Sequence, residues 1–212
     1  RYAIEIPRNM MARWMIERGA RRFLLLGRSP LPPRTDWKQL AEGQNTIAER
    51  IRAVLELENL GASVHLASVD VANKDQLSGA LAEFQAQAWP PIRGVIHAAG
   101  VLEDHALLSL NQAALVKSMR PKLNGSWLLH ELLSDAPLDF FVLFSSAAAV
   151  LGSPGQANHA AANAFLDSFA RFRRARSLSA QSINWGPWGE VGAAARSRHK
   201  SKMTARGVGY LT

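Results

Sequence analysis

The sequence predicts an α/β fold, a doubly wound parallel sheet with helices on both faces. Three observations carry this. Short apolar runs alternate with longer stretches of helical period, the pattern of parallel strands joined by crossover helices. The runs are apolar without alternation, as strands buried on both faces must be. Polar and glycine residues gather at the C-terminal ends of these runs, where such sheets bind ligands. A chain of 212 residues, 48% hydrophobic and 20% charged, supplies one sizeable core.

Residues 2–6 form a first candidate strand, followed by a helix over 8–18. Phe-Leu-Leu-Leu-Gly at 23–27 is the next strand, and Ser29-Pro-Leu-Pro-Pro-Arg34 is a stiff loop. The polar stretch after it reads as an insertion. Ala48, Ile51, Val54, Leu55 and Leu57 follow the helical period and place a helix at 46–60, with Gly61 as its stop. Further strands lie at 63–70, 94–99, 140–146 and 181–186, and further helices at 73–87, 109–134 and 156–177. The chain divides into a domain over 1–192 and a basic segment over 193–212, either a lid or a frayed end.

Composition narrows the function. With no cysteine, disulfides and thiolate metal sites are excluded, and no metal site is expected. No apolar run approaches the roughly 18–20 residues of a membrane span, and residues 1–7 lack the apolar core of a signal peptide. A cytoplasmic protein with no membrane partner is expected. The net charge of +8 suits an acidic partner or a solvated surface. Arg171, Arg173, Arg174 and Arg176 end a predicted helix, where the helix dipole favours cations. Only Phe172 interleaves them, so no nucleic acid is expected.

The groups at strand ends are Arg28-Ser29, Asp70-Val71, His97-Ala98-Ala99-Gly100, Ser145-Ser146 and Trp185-Gly186. A guanidinium after a buried strand suits a phosphate by bidentate pairing; a solvated turn arginine is the alternative. Ser146 precedes His159 by thirteen residues, and Asn163 follows His159 by four, on the same face of a predicted helix. A tyrosine at 159 could protonate a ketone as hydride arrives, with Ser146 bonding the developing oxyanion. Lys122, on a long helix, reads by itself as a surface lysine.

Several strings together resemble one family: Leu-Leu-Gly-Arg-Ser, Val-Ile-His-Ala-Ala-Gly-Val-Leu-Glu-Asp, Arg-Pro-Lys-Leu-Asn-Gly-Ser-Trp, the run from Phe144-Ser-Ser to Asn163-Ala-Phe-Leu-Asp, and Asn-Trp-Gly-Pro-Trp. They are similar to the catalytic half of ketoreductase domains of modular type I polyketide synthases, within the short-chain dehydrogenase/reductase family, over about residues 10–192. The resemblance implies a Rossmann-like fold, NADPH, and reduction of a β-ketoacyl group carried on the phosphopantetheine of an acyl carrier protein. It maps the catalytic set to Lys122, Ser146, His159 in the tyrosine's place, and Asn163. It assigns Arg28, Ser29, Asp70, Val71, His97, Ala98, Ala99, Gly100, Trp185 and Gly186 to the cofactor. Leu102-Glu103-Asp104 resembles the Leu-Asp-Asp signature of B-type domains, and Pro154 and Asn158 fit that subclass in stereocontrol. The family's separate N-terminal half is absent, which implies neighbouring synthase domains in a larger chain.

Two departures from the family pattern point to impairment. Imidazole is shorter than phenol, and Lys122 nearby would disfavour imidazolium. The glycine-rich phosphate loop is also missing, with no glycine before Gly19 and Pro7 removing an amide donor. Loss of the loop and a discontinuity in the sequence both fit. The expectation is a copy impaired in reduction and weak in NADPH binding; the alternative is a non-catalytic pseudo-ketoreductase that serves as a scaffold or interaction domain.

Overall fold

A computed structural model describes residues 8–87 and 89–187. The candidate strand at 2–6, Pro7, Trp188-Gly189 and the segment 193–212 lie outside the described residues.

The parallel α/β architecture is present. β1 (Arg22–Gly27) and β2 (Ser63–Ser68) pair in parallel from Arg22 opposite Ser63 to Gly27 opposite Ser68. β3 (Gly94–His97), β4 (Phe140–Ser146) and β5 (Gln181–Trp185) form a second parallel ladder in that order. β1 follows helix α1 (Arg8–Glu17). The crossovers from β1 onward carry α3 (Thr46–Asn59), α4 (Lys74–Ala86), α5 (Gln112–Leu132) and α7 (Ala157–Arg174). Three of these helices open on an asparagine whose side chain accepts an amide of the first turn: Asn45 from Ala48, Asn73 from Gln76 and Asn111 from Ala114. Each cap satisfies an amide that the helix itself leaves unpaired.

β1 shows why its sequence is apolar throughout. Phe23 and Leu25 pack on a core built from Ala12 and Ile16 of α1, Ile51, Val54 and Leu57 of α3, and Val64 of β2. Leu24 and Leu26 face the other way, onto a core of Leu77, Leu81, Val95, Leu129, Phe141, Leu143, Leu166 and Phe169. Helices therefore cover both faces, and both need apolar side chains.

Two short helices differ from expectation. The polar stretch after Arg34, read as an insertion, has secondary structure of its own. It forms a 3-10 turn (Arg34–Asp36) and α2 (Trp37–Leu40), and Trp37 is buried in the core it shares with Ile16, Ile51 and Val64, its Nε1 donating to Pro32 O at 2.9 Å. One tryptophan anchors a segment whose other residues are mostly polar. α6 (Ala148–Leu151) is a single turn directly after β4, with Val150 and Leu151 exposed.

Two glycines are required by close approach. A Cβ at Gly94 would run into the ring of Phe140 on the neighbouring strand. A Cβ at Gly125 of α5 would lie 2.9 Å from Val71 Cγ1 and 3.1 Å from His97 Cε1. α5 thus sits against the ends of β2 and β3 at a distance only glycine permits.

Candidate active site

The C-terminal ends of β3 and β4 and the first two turns of α7 bring the predicted residues together. Lys122 is buried, contrary to a reading of the residue alone as a surface lysine. α5 is packed on several sides, and at position 122 it turns inward, where Nζ donates to Phe144 O at 2.7 Å. Burial pulls the Lys122 pKa down to about 7, and Asp167 only partly restores it.

His159 stands in the first turn of α7. Its pKa is lowered to about 4, chiefly by burial and then by the charge of Lys122. The expected electrostatic effect of Lys122 is present, but desolvation is the larger cause. The ring is neutral at physiological pH. Asn163, fully buried, points its Nδ2 at His159 Nε2 (3.1 Å) and donates to His159 O (2.8 Å). Ser146 Oγ accepts from Ala148 N at 3.2 Å, which orients it at the head of α6.

Behind this face lies a polar network that sequence reasoning missed. Ser145 Oγ donates to Asn163 O (3.1 Å) and receives Asn184 Nδ2 (3.2 Å). Asn184 also donates to Asp167 Oδ2 (2.8 Å), and Ser182 Oγ donates to Asp167 Oδ1 (2.5 Å). Two signals could have found it. Positions 159, 163 and 167 repeat every four residues along one stripe of α7. Ser145 and Asn184 are also register partners across β4 and β5.

The loop after β3 is strapped to α7. Gln156 Nε2 donates to Asp104 Oδ1 at 3.0 Å, and His105 N donates to Gly155 O at 2.8 Å. Asn158, buried, donates to Glu103 O and to Ser118 Oγ, both at 2.8 Å. The Glu103 carboxylate pairs with Lys117 Nζ at 2.8 Å, which holds its pKa below the usual carboxylate range. Leu102 is half-buried in this loop, and Pro154 is exposed in the turn before α7.

The residues that the resemblance assigns to the cofactor are more dispersed. Arg28 and Ser29 are exposed just past β1, and the Arg28 guanidinium pairs with none of the described residues. Asp70 lies two residues past β2. Its Oδ1 accepts Ala72 N (3.0 Å) and its Oδ2 pairs with Arg120 (3.3 Å), so its carboxylate already caps the loop that carries Val71. His97 is buried and bonds Pro121 O at 3.1 Å, with Ala98, Ala99 and Gly100 turning away after it. Trp185 packs on Phe144 with ring centroids 5.3 Å apart, and Gly186 follows it. An exposed, unengaged guanidinium fits a nucleotide phosphate. The segment that would correspond to a glycine-rich phosphate loop falls on residues 1–7, outside the described residues. Among the described residues, no group of three or more His, Cys, Asp or Glu could hold a metal ion, and no helix is long and apolar enough to cross a membrane.

Comparison with known proteins agrees with this geometry. The model of the KR domain family matches residues 8–190. A phenolphthiocerol/phthiocerol polyketide synthase protein of Mycobacterium tuberculosis is 40% identical over 197 residues, 93% of this chain and 10% of that protein. The 6-methylsalicylic acid synthase of Aspergillus terreus is 36% identical over 204 residues, 95% of this chain and 11% of that protein. The chain thus spans about a tenth of these relatives. Among solved structures, an A1-type ketoreductase superposes with a TM-score of 0.80 at 39% identity, covering 96% of this chain and 40% of that one. The ketoreductase from the first module of phoslactomycin biosynthesis in Streptomyces sp. HK803 gives 0.76 at 35%, covering 93% and 42%. With this fold, these strand-end residues and a family match over nearly its whole length, the chain belongs to the KR family, the ketoreductase domains of polyketide synthases.

Proposed function

We propose that this ketoreductase domain is built for NADPH-dependent reduction of a β-ketoacyl group on an acyl carrier protein, and that this copy is impaired in that reaction. Lys122, Ser146, His159 and Asn163 form the catalytic set. Arg28, Ser29, Asp70, Val71, His97 to Gly100, Trp185 and Gly186 form the cofactor side. Leu102, Glu103, Asp104, Pro154 and Asn158 shape the substrate side in a B-type manner. The strap between residues 103–105 and the start of α7 supports that assignment, because it fixes this loop beside His159.

The observation that carries the impairment is the state of His159. A neutral imidazole pushed down to a pKa of about 4 is not protonated at neutral pH and lacks the reach of a phenol. A displacement of about 1 Å in a proton donor can cost about a hundredfold in rate. The test measures NADPH binding by fluorescence and turnover of a simple β-ketoacyl thioester, in the full-length protein and in its His159→Tyr variant. The variant is expected to turn over at least tenfold faster. Equal turnover by two proteins that both bind NADPH would sink the impairment reading. Histidine in the tyrosine's place also favours a second reading, a scaffold that retains the fold and its neighbours without the reaction. Saturable NADPH binding in the micromolar range would count against it.

A further inference from the structure

The hydrogen bonds around Asn163 determine more than its own position. Its amide group has two sides, and the side facing the start of α7 meets two atoms, His159 O at 2.8 Å and His159 Nε2 at 3.1 Å. The carbonyl oxygen can only accept. It therefore requires the NH2 of Asn163 on that side, since the reversed amide would set two oxygens 2.8 Å apart. Nε2 of the imidazole then faces a donor and must present its lone pair. In a neutral imidazole the proton is left on Nδ1.

We propose that Asn163 is a positioning residue that fixes His159 as the neutral Nδ1–H tautomer, leaving Nδ1–H as the donor offered to a ligand's acceptor atom. Nδ1 bonds to none of the described residues. The surrounding structure holds Asn163 in place for this task. The residue is fully buried, and its own backbone oxygen receives Ser145 Oγ at 3.1 Å. Ser145 is in turn tied to Asn184 and, through it, to Asp167. Burial and the Lys122 charge oppose imidazolium as well, so the ring stays in one neutral form. A neutral imidazole so held can polarise a carbonyl by hydrogen bonding without being an acid. The identity of that acceptor as a ketone oxygen rests on the ketoreductase reading. The tautomer does not, so a spectrum and a turnover assay fail separately.

The experiment is magic-angle-spinning 15N NMR of the full-length protein labelled with [15N]histidine, at pH 7. The difference spectrum between wild type and His159→Gln isolates this one ring. The expected pattern is an unprotonated Nε2 and a protonated Nδ1. A protonated Nε2, or an imidazolium with both nitrogens protonated, overturns the proposal. Asn163→Leu removes the donor opposite Nε2 and is expected to release the proton from Nδ1, so that Nε2 becomes protonated in part or in whole. A folded Asn163→Leu protein that keeps the pure Nδ1–H pattern also overturns the proposal. Should that variant fail to fold, the wild-type spectrum decides alone.

Discussion

The two ladders of this domain treat their polar residues in opposite ways. At the ends of β3 and β4 the polar side chains are buried and bonded to one another: Lys122 to Phe144 O, Asn163 to His159, Ser145 to Asn163 O. At the end of β1 the guanidinium of Arg28 is exposed and engages none of the described residues. The difference teaches where the proposed function and the stability of the fold would share atoms. On the β4 side a substitution disturbs both together. On the β1 side a charge can change with little cost to the fold, because water already satisfies it.

Four measurements sharpen or break this contrast. The largest effect belongs to the core beneath β4. Leu143 is fully buried among Phe141, Leu166 and Val95, and Leu143→Ala is expected to lower stability by about 3–5 kcal/mol in urea unfolding. A loss under about 1 kcal/mol would mean that this core is not the one described.

Next comes Lys122. Its folded pKa of about 7 lies below its ordinary 10.5, so between these values the unfolded chain binds the extra proton and stability rises with pH. The cost of the buried ammonium is fully present below pH 7. Lys122→Met removes it, and the variant should gain on wild type as pH falls from 10 to 7, by on the order of 4 kcal/mol. A difference that does not change with pH would place the ammonium in solvent.

His159 has a smaller effect, in the acid range. Its folded pKa of about 4 lies below 6.5, so the native state loses stability as pH falls from 6.5 towards 4. The ring is only partly buried, which discounts the effect to about 2 kcal/mol. His159→Gln should flatten that slope, as read by chemical unfolding at pH 7 and pH 4.5. The smallest effect is expected for Arg28→Ala, within about 0.5 kcal/mol of wild type. If that variant unfolds readily, the β1 end is not the open surface described.

Much of the fold was legible because its signals are local. The strands are apolar runs bounded by glycine and polar residues, and the helix at 46–60 shows its period with Gly61 as its stop. α2 and α6 were not legible, since four-residue helices have no period to read and Trp37 is a lone anchor in a polar stretch. In the site, Ser146, His159 and Asn163 could be read from spacing, whereas Lys122 could be placed only through family resemblance. Its burial depends on what packs around α5, a property no short string encodes. Asp167 and Asn184 were missed for a related reason: their partners sit on other elements, and the pairing exists only once β5 lies beside β4.

The glycine at 125 sets a length as well as a packing distance. Nearly one helical turn separates it from Lys122, so the closeness of α5 to His97 governs how far the ammonium can reach into the domain. An added methyl would act as a shim between helix and sheet, and the ammonium would draw back from the carbonyl of Phe144. The reach of a charged group at the centre of this domain is thus calibrated by a side chain that is not there.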